Sequence, residues 1–75
     1  MSQRPPVVRP NQVIRALERA GWVVKRQRGS HASMRKPGSP MIVTVPMKRR
    51  DVAPGTLRDI IKDAGMTVEE FVALL

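Results

Sequence analysis

Two breaks cut residues 22–46 so closely together that they leave little choice of topology. One is Arg28-Gly29 and the other is Pro37-Gly38-Ser39-Pro40, both strong turn signals. They separate three short segments. Trp22-Val23-Val24-Lys25-Arg26-Gln27 is β-branched and aromatic at first and polar later; residues 30–36 alternate; Met41-Ile42-Val43-Thr44-Val45 is an apolar strand ended by Pro46. Links of two to four residues are too short for the crossover that parallel strands need, so the segments are expected to form an antiparallel meander. Alternation turns Ala32 and Met34 toward a core and His31, Ser33 and Arg35 away from it. The same rule sends Lys25 and Gln27 to the outer side.

Helical periodicity flanks this unit on both sides. Val13, Ile14, Leu17 and Ala20 fall on one stripe of a helix over residues 10–20, with Pro10 at its entry and Gly21 as its stop. Gly55-Thr56-Leu57 is expected to open a second helix capped by Thr56, with Leu57, Ile60, Ile61 and Ala64 as its apolar face. Thr67 and Glu70 have the spacing of a capping box. They begin a last helix whose stripe is Val68, Phe71, Val72 and Leu75. Residues 1–9, with Pro5, Pro6, Arg4 and Arg9 and no apolar period, read as a flexible basic arm. Residues 10–75 then form one α+β domain, α-β-β-β-α(-α), with helices covering one face of the sheet and the other face open.

Composition narrows the function. A 75-residue chain makes a single small domain with a thin core. It has no cysteine and one histidine, which excludes disulfides, thiolate metal sites and His-rich zinc sites. No apolar run approaches the roughly 20 residues that span a bilayer, so a soluble, cytoplasmic protein without membrane contact is expected. The net charge is +8 and the pI is near 11.6. Residues 1–50 carry 12 Lys/Arg against the single acid Glu18, whereas residues 51–75 carry two against five. A basic front and a mildly acidic back point to a polyanionic partner, nucleic acid first. With only Trp22 and Phe71 aromatic, a base-stacking platform is poorly supported.

Within the basic half, Arg26-Gln27-Arg28-Gly29-Ser30-His31 ends in the only histidine. Imidazole is the one side chain here whose unperturbed pKa lies near neutrality, so His31 is the candidate to move protons. RNA cleavage by in-line attack of a 2′-hydroxyl needs a base for that hydroxyl, a proton for the leaving 5′-oxygen and cations for the phosphorane. Lys25, Arg26, Arg28, Ser30, Arg35, Lys48 and Arg49 are the candidate RNA- and phosphate-binding residues. A serine mechanism at Ser30 lacks an acid to orient a Ser–His pair. Asp59 and Asp63, four apart on a helix, are better explained by surface solvation than by a two-metal site. No metal and no cofactor are expected.

Gly21-Trp22, Arg26 through His31, Val45-Pro46, Pro54 through Ile61, Ala64-Gly65 and Glu70-Phe71 together resemble the HicA family. These are small toxins of type II toxin–antitoxin pairs. The resemblance covers roughly residues 10–75 and implies a double-stranded-RNA-binding-domain-like fold. It implies endoribonuclease activity on messenger RNA, with His31 at the catalytic position as general acid/base, and neutralisation by a HicB-like antitoxin. The chain departs from the family pattern at Lys48, where members often carry a second histidine two residues after the Val-Pro. That substitution keeps a second reading open, a non-catalytic RNA-binding module on the same fold.

Overall fold

The computed structural model describes residues 4–75. Its elements run α1 (Pro10–Arg19), β1 (Val23–Arg28), β2 (His31–Arg35), β3 (Val43–Pro46), α2 (Pro54–Asp63) and α3 (Val68–Ala73). The three strands form one antiparallel sheet in the order β1-β2-β3. This is the expected α-β-β-β-α-α, double-stranded-RNA-binding-domain-like arrangement. Residues 1–3, part of the segment expected to be a flexible arm, lie outside the described residues.

α1 starts with Pro10 at its first helical position, where a missing N–H costs nothing. The Gln12 side chain accepts the Arg9 N–H at 2.8 Å. Val13, Ala16 and Leu17 are fully buried, and Ile14 and Ala20 pack at the margin. The helix ends when Gly21 takes φ +97°. The Gly21 and Trp22 N–H groups then donate to the Glu18 and Leu17 carbonyls, the paired bonds of a Schellman cap. That cap swings Trp22 directly into the core, where it is 2% exposed.

The sheet buries one face. Ala32, Met34, Val43 and Val45 are buried on that face, and Met34, Val43 and Val45 form one core cluster with Leu57, Ile60, Ile61 and Phe71. Val8 is buried with them, and its carbonyl accepts the Val52 N–H at 2.9 Å. This contact ties the segment before α1 to the loop before α2.

β1 departs from strict alternation. Val23 pairs with Arg35 and Val24 with Met34, but the next pair is Arg26 with Ser33, followed by Gln27 with Ala32 and Arg28 with His31. Lys25 is therefore an unpaired bulge residue. One extra residue inverts the faces beyond it. Arg26 and Arg28, not Gln27, share the outer face with Ser33 and His31, and Gln27 turns to the helix side at the rim. The expected outward placement of Gln27 is corrected accordingly. Lys25 likewise holds no register position beside His31.

Three boundaries also differ from expectation. β3 begins at Val43, leaving Met41 and Ile42 exposed outside it; the Met41 N–H is turned onto Ser39 Oγ at 3.2 Å. α2 begins at Pro54 with Ala53 as its cap, so Thr56 does not cap the helix. Proline pre-sets the helical φ at the first position and claims the start. α3 has the expected reciprocal Thr67–Glu70 box, at 2.9 and 3.1 Å. However, of its stripe only Phe71 is fully buried, while Val72 and Leu75 are each 45% exposed. Six helical residues at the end of the chain give the core one anchor instead of a full face.

Candidate functional site

His31 owes its position to the two-residue link Gly29-Ser30 between β1 and β2. Gly29 has φ +52° at the first linking position, the one for which a type II′ hairpin turn selects glycine. The turn makes Arg28 and His31 the closing pair of the hairpin. On its other side His31 pairs with Pro46 of β3, and the Met47 N–H donates to the Ser30 carbonyl just beyond. The backbone of His31 is thus fixed from both sides while its side chain stays exposed.

The chain leaving Pro46 does not run away from His31. Residues 47–53 curl back, held by the Val52 to Val8 bond, and deliver the first turn of α2 beside the end of the sheet. The result is an open cavity of about 330 Å³ lined by His31, Pro46, Lys48, Arg50, Asp51, Val52, Ala53 and Thr56. The start of α2 carries the positive end of the helix dipole, which favours anions. A site of this kind, one imidazole with two cations, a hydroxyl and a helix start, has the right chemistry for a phosphodiester. Asp51 is its only acid.

The sequence-predicted residues separate into groups. His31 and Lys48 line the one cavity. Arg28 stands beside His31 in register, Arg26 is the next outer-face residue of β1 and pairs with Ser33, and Ser30 immediately precedes His31 in the hairpin link. Arg49 lies in a smaller concavity of about 200 Å³ with Arg9, Pro10, Asn11, Met47 and Lys48, so that Lys48 borders both. Lys25 and Arg35 are at the opposite end of the hairpin. Four residues of strand at about 3.3 Å each put Arg35 about 13 Å from His31.

Arg50, Asp51 and Thr56 also line the cavity without having been singled out as site residues. Their signal in the sequence is indirect. A loop that leaves the strand paired to His31 and re-enters at a Pro-started helix keeps its charged residues close to that histidine. Thr56, released from capping, is free to point its hydroxyl at a ligand. Among the described residues no group of three or more His, Cys, Asp or Glu is placed to hold a metal ion, and no helix is long and apolar enough to cross a membrane.

Comparison with known proteins gives one family. The model of the family described as "HicA toxin of bacterial toxin-antitoxin" matches residues 10–66, from the first residue of α1 to just past α2. No curated protein matches the chain.

Proposed function

The chain belongs to the HicA family of bacterial toxin–antitoxin toxins, and from that premise we propose that it is a metal-independent endoribonuclease that cleaves messenger RNA through His31. The observation that carries the reading is the meeting of the only histidine with Lys48, Arg50 and the α2 start in one cavity, beside Arg28 on the sheet. The family implies an antitoxin partner; we propose a HicB-like protein in that role, and the cytoplasm, where mRNA is found, as the place of action.

The chemistry follows from the groups present. The 2′-oxygen attacks phosphorus while neutral His31 takes its proton. The P–O5′ bond then breaks, and the imidazolium returns that proton to the departing 5′-oxygen. The products are a 2′,3′-cyclic phosphate and a 5′-hydroxyl. A well-placed acid–base group typically contributes about 10²–10⁴-fold. Lys48, Arg28 and Arg50 hold the phosphate and offset charge on the phosphorane, a role in which fixed cations act most strongly.

The test is cleavage of a defined RNA by the purified protein in EDTA, with analysis of the ends. Shortened RNA with 2′,3′-cyclic phosphate termini is expected. Loss of cleavage on chelation, or 3′-hydroxyl termini, would contradict the mechanism. RNA that is bound and left intact would instead identify a non-catalytic RNA-binding module.

A further inference from the structure

We infer that the chain carries a second phosphodiester-binding subsite, at the far end of the β1–β2 hairpin from His31, which holds the same single-stranded RNA a short distance along its backbone. This rests on the reading of His31 as an RNA-cleaving residue and assigns the path of the substrate beyond it.

The subsite is a concavity of about 310 Å³ lined by Val23, Lys25, Arg35, Lys36, Pro37, Gly38 and Ser39. Among the described residues its lining has three cations and no acid, and Lys36 also borders the neighbouring concavity that contains Glu70. The β-bulge contributes directly. By leaving Lys25 without a cross-strand partner, it frees that residue to join the Arg35 end of the hairpin. Lys36 follows Arg35 at the end of β2, its aliphatic stem beside Gly21. Ser39 Oγ accepts the Met41 N–H, which leaves its own O–H available to donate to a phosphate oxygen.

The two sites share one face of the sheet. Between them stand Arg26 and Ser33, paired with each other on the outer side. An RNA strand seated with one phosphate at His31 therefore meets Arg26 and then the Lys25–Arg35–Lys36 group, about 13 Å along β2. A single strand suits this better than a duplex, because in-line attack needs a 2′-hydroxyl free to swing behind its phosphorus, and unpaired, unstacked nucleotides allow that. Concentrating cations at two points on one face fits a chain of regularly spaced phosphates.

The experiment measures RNA affinity against salt in the His31→Ala background, so that binding is read without cleavage. The probe is a single-stranded RNA of about 12 nucleotides, within the footprint range of small single-strand-binding domains. Each phosphate contact contributes about −0.7 to the slope of log K against log salt. Removing two cations in Lys25→Ala/Lys36→Ala should therefore make the slope shallower by about 1.4. A charge-matched control, Arg15→Ala/Arg58→Ala, alters two exposed helix residues away from the sheet face and should not change the slope. With a dinucleotide probe, too short to reach both sites, the Lys25/Lys36 pair should also make no difference.

Equal slopes for the Lys25/Lys36 variant and its parent would overturn the subsite while leaving RNA cleavage at His31 standing. Equal changes in the Lys25/Lys36 and Arg15/Arg58 variants would overturn it as well, by reducing the effect to net charge. A loss of antitoxin affinity with RNA binding intact would reassign the concavity to the protein partner and overturn the proposal. Failure of the His31→Ala protein to bind RNA under any salt condition would remove both the subsite and the functional reading beneath it.

Discussion

Arg28 and His31 are direct partners across the β1–β2 hairpin, so a guanidinium and the only imidazole leave the sheet side by side on its open face. The pairing exists because of the bulge at Lys25. Without that extra residue Gln27 would occupy the outer face and Arg28 would point toward the helices.

This distinguishes two neighbouring residues sharply. In RNA-binding measurements on the His31→Ala protein, Arg28→Ala should weaken binding and make the salt slope shallower by about 0.7, the value of one phosphate contact. Gln27→Ala should do neither. Equal effects from both substitutions would contradict the Arg28–His31 register.

Lys48 lines both the His31 cavity and the adjoining concavity, whereas Arg49 lines only the second. Lys48→Ala should lower kcat about tenfold, equivalent to about 1.4 kcal/mol of transition-state stabilisation. Lys48→Arg should recover most of that, since the charge is kept. Arg49→Ala should act mainly on KM. Steady-state cleavage of a short fluorogenic RNA measures all three, and a larger kcat loss for Arg49→Ala than for Lys48→Ala would reverse the assignment.

Gly29 has φ +52°, and among the described residues no heavy atom beyond its chain neighbours lies within 4 Å of an added Cβ. The obstacle to a side chain there is the backbone conformation alone, which costs a non-glycine residue about 1–2 kcal/mol. Gly29→Ala should therefore destabilise the domain by that amount in chemical denaturation. It should also weaken RNA binding, because the same turn aligns Arg28 with His31. A variant as stable as wild type would show that the turn does not depend on glycine.

Much of this arrangement was legible in the sequence, and the exceptions have physical causes. The turn residues and the alternation in residues 30–36 were enough to place Ala32 and Met34 in the core and His31 outside it. The Thr67–Glu70 spacing was enough to locate the last helix. The bulge was not legible, because Lys25, Arg26 and Gln27 are all polar and no apolar residue marks where the period slips. Val8 was hidden for a similar reason: one buried valine in a Pro- and Arg-containing segment has no period. The cavity around His31 depends on residues 47–53 folding back toward the sheet. That return is set by the Val52 to Val8 hydrogen bond and the Pro54 helix start, so Arg50, Asp51 and Thr56 become site residues only in three dimensions.

Trp22 is buried, and its indole N–H has no hydrogen-bond partner among the described residues. An unsatisfied buried donor costs about 1–3 kcal/mol, whereas the ring itself contributes a large apolar surface. Trp22→Ala should destabilise the domain by about 3–5 kcal/mol. Trp22→Phe should cost far less, because it removes the orphaned donor along with part of the ring. Denaturant midpoints give the comparison, and equal losses for the two variants would contradict the account of the indole.

If His31 performs the proton transfers of RNA cleavage, its imidazole is needed for both cleavage and toxicity. Wild type and His31→Ala are compared for RNA cleavage in vitro and growth arrest in cells. His31 is exposed, so the substitution should leave stability within about 0.5 kcal/mol and antitoxin binding in place. Cleavage should fall by about 10²-fold or more and growth arrest should disappear. A His31→Ala protein that folds, cleaves RNA and arrests growth as wild type does would contradict that role for His31.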